Sequence, residues 1–347
     1  MKDKYAVLCR QFLFSLATLI LALVVGGVFI AVLGSNPFRA YALLFTGAFG
    51  SVQSVSNTLA NSIPLMFTGI AFALANKSGV FNLGCEGQLY IGGICGTIVA
   101  LFLPIEHHFL MIFCVLVVSV AAGMLWGGIV GFFKARFETN EVIVAIMLNY
   151  ISVSFTTYLI TGVLQEEGSV LNQTAMIPEI AQLSKLMPRT QLTTALLIAV
   201  AAAFFSWFLM NHTVTGFKLR AVGDNAEGAR ACGIPCKRYI IFAMMLSGAI
   251  ASLAGITEIT GKYFRFREGF GSGYGFTGVA VAALANNNPF AVLVTAILFG
   301  GLDTGSLLMS RELNISGNLS VVIQSIIILI VATPKIIEYV PKMRKAG

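Results

Sequence analysis

GFKLRAVGDNAEGARACGIP, residues 216–235, is a polar, basic island between two long apolar segments. Within it, Asp224 and Asn225 are helix N-cap residue types, Glu227 stands where the first turn of a helix favours an anion, and Gly233 followed by Pro235 is a stop signal. The spacing predicts a helix of about two turns over residues 224–233. So short a helix is marginal in water, and Ala226, Gly228, Ala229 and Ala231 offer it almost no apolar face to bury against its own protein. Two readings follow: a connecting loop that curls, or a helix that docks into another protein.

The flanking segments set the class. Hydrophobic residues make up 57% of the 347 and charged residues 11%, with a mean hydropathy of +0.87. That lies far outside soluble-protein composition and predicts an all-α polytopic membrane protein, in contact with lipid, as a single transmembrane domain over residues 1–347. A net charge of +7 would suggest nucleic acid in a soluble protein. Here the cations cluster at the ends of apolar runs, where they act as topology signals and not as a nucleic-acid surface. Cys9, Cys85, Cys95, Cys114, Cys232 and Cys236 lack the paired spacing of zinc or redox motifs and read as small packing residues.

Apolar runs of spanning length cover residues 12–33, 57–75, 86–103, 109–133, 142–163, 191–210, 239–259, 289–309 and 319–333. The first follows Lys2, Lys4 and Arg10, has no small-residue cleavage site and reads as a retained span. A shorter run, 276–285, lies between Gly-rich and Asn-rich breaks and reads as half a helix or a re-entrant piece. Counting it gives about ten transmembrane helices. With both termini in the cytoplasm, 15 of the 22 cations fall on the inner side, as the positive-inside rule requires. Residues 216–235 are then cytoplasmic, Arg39 lies on the outer side, and residues 164–190 form the longest outer connection.

Internal similarity and glycine spacing bear on packing. Phe67-Thr68-Gly69-Ile70-Ala71 matches Phe276-Thr277-Gly278-Val279-Ala280, and Ala-Leu-Ala-Asn follows each, at 73–76 and 283–286. Either chance or a duplicated architecture of the kind common in transporters accounts for this echo. Gly123, Gly127 and Gly131 recur every four residues beside Gly128, and Gly301 and Gly305 repeat the pattern; such stripes predict close helix contact in a compact bundle.

Catalysis finds little support. His107, His108 and His212 are the three histidines, and Glu106-His107-His108 lacks the spacing that puts two imidazoles on one helical face, so no metal site is expected. Gly255, Gly261 and Lys262 depart from a nucleotide-binding loop in spacing and in the residue after the lysine. Polar groups within the spans say more, because burying them in hydrocarbon is costly. Asn82, Glu86 and Gln88 occupy a Gly-interrupted turn joining two spans; they either line a polar route or cap helix ends. Asn149 is too deep in its span to cap and needs a hydrogen-bond partner, from another helix or a ligand. Lys262–Phe276, KYFRFREGFGSGYGF, sets Phe270, Tyr274 and Phe276 among glycines on the outer face, as an interfacial aromatic belt or as a hinged gate that stacks on a planar or sugar-like solute.

Taken together, FNLGCEGQ at 81–88, EVIVAIMLNYI at 141–151, RAVGDNAEGARACGI at 220–234, LSGAIASLAGI at 246–256 and GYGFTGVAVAALANNNP at 273–289 resemble the permease subunits of ABC importers, in the branch serving nucleosides and simple sugars. The resemblance covers about residues 57–289. It implies a bundle of around ten crossings whose cytoplasmic coupling helix seats in a separate ATP-binding subunit, with Asp224, Asn225, Glu227, Gly228, Ala229, Arg230 and Gly233 in the coupling segment. Gly228 departs from the Glu-Ala-Ala core of relatives, a change that weakens a helix by up to ~1 kcal/mol. Ala145 stands where relatives often carry Thr. The polar turn resembles nucleoside-transporting members more than ribose-type ones. The implied partners are an ATP-binding subunit, a second permease that is similar but distinct, an outer solute-binding lipoprotein, and a small neutral solute met along Asn82, Glu86, Gln88, Asn149, Phe270, Tyr274 and Phe276. No cofactor and no catalytic residue is implied. A simple-sugar permease and an ion-coupled secondary transporter are the alternatives, the second requiring a linked series of intramembrane ionisable groups that the sequence does not show.

Overall fold

The computed structural model describes residues 24–28, 30–32, 36–271 and 273–313. Beyond helical residues at 24–28 and 30–32, the described chain forms α1 (Pro37–Phe49), α2 (Val52–Lys77), α3 (Cys85–Phe102), α4 (His108–Phe137), α5 (Glu141–Thr161), α6 (Ala195–His212), α7 (Val214–Asp224) and α8 (Ala226–Ala231). There follow α9 (Cys236–Glu258), which continues as a π-helical turn at Ile259–Tyr263, then α10 (Tyr274–Leu284) and α11 (Pro289–Leu313). Among the described residues there is no strand, only isolated bridges at Gln165 with Thr174, Gln173 with Arg267 and Lys185 with Thr193. The protein is an all-α polytopic membrane protein.

Seven described helices, α2, α3, α4, α5, α6, α9 and α11, are long and apolar enough to cross a membrane, or eight if Val24–Val32 and Pro37–Phe49 count as one broken span. Each of the seven overlaps a run expected from the sequence. The expected span at 319–333 and most of that at 12–33 lie outside the described residues. The short tenth run is α10, whose 11 residues rise only about 16 Å, half of a hydrocarbon core.

Helix α1 lies outside every run expected from the sequence, which sets Arg39 on the outer side without an element. Residues 37–49 are helical: Asn36 accepts hydrogen bonds from Phe38 N and Arg39 N through its side chain, and Pro37 takes the first helical position, where its missing N–H costs nothing.

Contacts divide the chain into two compact units, Met1–Thr58 with Phe299–Gly347, and Leu59–Leu298. Within the first, a Cβ added at Gly305 would overlap the Leu44 carbonyl, and one at Gly47 would lie 2.9 Å from Leu308 Cβ. The expected Gly301/Gly305 stripe thus receives α1. Within the second, α2 and α3 are the most enclosed helices and α9 the next. Gly123, Gly127 and Gly131 of α4 face Gly248, the Met244 carbonyl and Ile241 of α9, so the two backbones approach without side chains between them. Gly255 of α9 meets the Leu89 backbone of α3 in the same way.

The echoed motifs also meet. A Cβ at Gly278 would run into Thr68, and one at Gly69 would lie 3.2 Å from Val281 Cγ1 and 3.6 Å from the Gly278 carbonyl.

Gly248→Val should disrupt the α4–α9 crossing, because its Cβ would overlap the Gly123 carbonyl. Overpacking of this kind costs ~1–3 kcal/mol or more, so detergent-solubilised variant should melt well below wild type in a fluorescence-detected thermal shift. Gly128→Ala, which meets only the flexible Met245 side chain at 3.1 Å, should melt within a degree or two of wild type.

Candidate translocation and coupling site

The polar turn grows out of the end of α2. Gly79 adopts φ +78°, Gly79 N donates to the Asn76 carbonyl, and Val80 N donates to the Ala75 carbonyl, a Schellman ending that only glycine accommodates without strain. The chain then enters α3 through Asn82, whose side chain is saturated by protein. Asn82 Nδ2 donates to Gln88 Oε1 at 3.0 Å and to Ser247 Oγ at 2.7 Å, and Asn82 Oδ1 accepts from Gly84 N at 2.8 Å and Gln88 Nε2 at 3.3 Å. Ser247 in turn donates to the Ala71 carbonyl of α2 at 2.7 Å. One buried cluster thereby joins α2, α3 and α9.

Asn149 holds the same turn from α5. Its Oδ1 accepts from Gly87 N at 2.8 Å and its Nδ2 donates to the Leu83 carbonyl at 2.9 Å, so the partner it needs is backbone from another helix. Gly87 is required there, since a Cβ would lie 2.6 Å from Ser152 Oγ. Asn82 and Gln88 have no exposed surface and Asn149 has 6%, with each side-chain amide bonded inside the protein.

Glu86 takes a role the sequence reading placed elsewhere. It lies in the first turn of α3, as expected of a structural anion, but its oxygens accept from Gly273 N and Gly275 N, both at 2.7 Å. The carboxylate therefore caps α10, nearly two hundred residues away.

Of the two readings of residues 262–276, an interfacial aromatic belt or a hinged gate, burial sets aside the belt for the rings of Phe266 and Phe270. The chain turns back at Phe264, in the left-handed region with φ 56°, and runs alongside α3 in reverse. Phe266, Phe270, Gly271 and Gly275 pack in turn against Tyr90 and Gly93, Tyr90, Leu89 and Glu86. Phe266 is fully buried and Phe270 is 8% exposed, its ring 4.8 Å from Phe266 and 5.2 Å from Tyr90. Tyr274 is half-buried, and Phe276 is 50% exposed. Protein groups satisfy this non-helical backbone: Phe266 N donates to Thr174 Oγ1, and its carbonyl accepts from Thr174 N. The connection at 164–190 supplies these partners and is fastened by the Arg265–Glu166 ion pair at 2.8 Å.

At the other end, Asn225 caps α8, its Oδ1 accepting from Gly228 N at 2.9 Å. Asp224 is the last residue of α7 and not a cap of α8. Gly233, at φ +79°, donates to the Arg230 carbonyl while Ile234 N donates to the Ala229 carbonyl, a second Schellman ending and the physical form of the expected stop. Ala229 is buried against Val222, Ile234 and Cys236, whereas Glu227, Gly228 and Arg230 are exposed. Sequence reasoning missed Ser247, Thr174 and the contact of Gly79 with Gly223. A glycine beside the polar turn was the available signal for the last, where a Cβ at Gly79 would lie 2.8 Å from Gly223 Cα.

Residues 54–332 match the model of the family described as branched-chain amino acid transport system / permease component. The chain belongs to this permease family. It is 36% identical, over 96% of each chain, to the guanosine ABC transporter permease protein NupP of Bacillus subtilis (strain 168). It is also 34% identical to the nucleoside ABC transporter permease protein NupB of Lactococcus lactis subsp. cremoris, over 97% of this chain and 95% of the relative. The glucose ABC transporter permease protein TsgB13 of Haloferax volcanii is 32% identical over 91% of this chain and 86% of its own.

Asn149→Ala would leave Gly87 N–H and the Leu83 carbonyl unpaired in the bundle. Each orphaned group costs ~1–3 kcal/mol, so the variant should show a clear drop in melting temperature and in yield of monodisperse protein; Asn149→Leu, of similar volume, should do no better.

Proposed function

We propose that the chain is the transmembrane permease subunit of an ATP-driven ABC importer for nucleosides. The observation that carries this reading is near full-length similarity to relatives named as guanosine and nucleoside permeases, joined to a short exposed helix closed by caps at both ends. The chain supplies the path and the mechanical link, while a separate ATP-binding subunit supplies the hydrolysis. A second, similar but distinct permease completes the path, and a solute-binding lipoprotein delivers the nucleoside from outside. Both termini and α8 lie in the cytoplasm, in keeping with the distribution of cations.

In this reading Asp224, Asn225, Glu227, Gly228, Ala229, Arg230 and Gly233 form the coupling segment. Docking in the ATP-binding subunit offsets the weakness of six residues that bury little more than Ala229 in their own chain. Phe276, exposed on the half-helix α10 beside half-buried Tyr274, offers an aromatic face for a nucleobase. Asn82, Glu86, Gln88, Asn149 and Phe270 shape the path from behind by holding the polar turn and the stretch that returns into the bundle. The glucose-named relative favours a sugar as the second reading. Uptake of labelled guanosine, adenosine, uridine and glucose into liposomes bearing the whole transporter separates the two: competition among nucleosides but not by glucose is expected, and glucose uptake without nucleoside uptake overturns it.

Arg230→Glu or Gly233→Val should leave membrane insertion intact and lower nucleoside uptake per ATP hydrolysed at least ten-fold. Uptake and phosphate release measured together in liposomes check this, and unchanged stoichiometry counts against the coupling assignment.

A further inference from the structure

Glu86 is 6% exposed inside a spanning helix, and no cation pairs with it among the described residues. Its carboxylate sits between two helix N-termini, that of α3, where it lies in the first turn, and that of α10, whose Gly273 and Gly275 N–H groups it accepts. Two oxygens accept two separate N–H groups there, and both helix N-termini favour an anion, so this one side chain ties the start of α3 to the start of α10. The stretch it holds changes direction at left-handed residues. Phe264, Gly269 and Gly273 adopt φ of 56°, 70° and 88°, and a Cβ added at Gly269 or Gly273 would meet nothing within 4 Å. The bond is also linked through the chain to α7. Gly223 of α7 rests on the turn that leads to Glu86, where its Cβ would lie 2.5 Å from the Lys77 carbonyl and 2.8 Å from Gly79 N, and α7 carries α8 directly behind it.

We propose that Glu86 is a positioning residue of the transport cycle: a carboxylate latch that holds the stretch 264–275 and α10 in place, and that displacement of α7 and α8 works through the Gly79–Gly223 contact. This rests on the permease reading of α8. It assigns the two discrete arrangements that energetic coupling requires to the latched and unlatched states of the α10 N-terminus.

The test is amide hydrogen exchange and uptake on the complete transporter in liposomes. In wild type, the amides of residues 273–276 should exchange at least ten-fold faster in the ATP-trapped complex than in the nucleotide-free one. Glu86→Gln, which loses the charge and one of its two carboxylate acceptors, should speed the same amides at least ten-fold without nucleotide, leave those of residues 89–100 unchanged, and lower uptake per ATP hydrolysed. Gly223→Ala, whose Cβ would press on the Lys77 carbonyl and Gly79 N, should alter the nucleotide-driven change at 273–276 while leaving residues 89–100 protected as in wild type. A cap that is merely structural would lower the amount of assembled protein and leave uptake per ATP as in wild type, and that result overturns the latch. So does unchanged exchange at 273–276 on nucleotide trapping, a comparison that needs only the wild-type complex and holds even where a variant does not assemble. Wild-type ATP-dependent uptake is read in the same vesicles: its absence sinks the permease reading, whereas its presence with unmoved exchange sinks the latch alone.

Discussion

Backbone that leaves the helix inside hydrocarbon must find every hydrogen bond within the protein, and this constraint organises the unit from Leu59 to Leu298. Among the non-helical stretches of that unit, the turn at 78–84 and the return at 264–271 are bonded from within. Asn82 and Asn149 bond the first and Thr174 the second, and Glu86 at the start of α3 bonds Gly273, just beyond the return. Polar side chains that would be expensive alone are thus spent on backbone groups that would otherwise be orphaned.

Close approach of helices makes that bonding possible. The side chains of Asn82 and Ser247 reach each other because α4 and α9 cross on Gly123, Gly127 and Gly248, and because Gly255 lets α9 lie on the backbone of α3. Lipid gives little hydrophobic drive for helices to associate, so van der Waals contact between bare backbones and a few buried hydrogen bonds carry the assembly. A methyl group at these glycines therefore acts on the polar cluster as much as on packing.

The same organisation separates rigid from yielding parts. α2 and α3 are enclosed over most of their length, while α5 docks by one stripe, Ala145, Asn149, Ser152, Thr156 and Ile160. α8 is held by its caps and by Ala229, a small anchorage for a helix whose other side chains face outward. Its apolar deficit is a property of six small and polar residues and persists until another protein covers them.

By itself the sequence determined the membrane class, seven of the described spans, the caps and stop of α8, and the glycine faces, since each rests on local rules: hydropathy over some twenty residues, cap chemistry within four, and a four-residue repeat. It also carried, unread, the Asn36-Pro37 start of α1. Only the tertiary structure decided that Asn149 bonds the backbone of residues 83–87, that Asn82 finds Ser247, that Phe266 and Phe270 lie inside the bundle, and that Glu86 caps α10. These pairings join residues separated by 62 to 189 positions. Nothing local distinguishes an aromatic, glycine-rich segment at the surface from one folded back into the core until the groups that satisfy its backbone are in place.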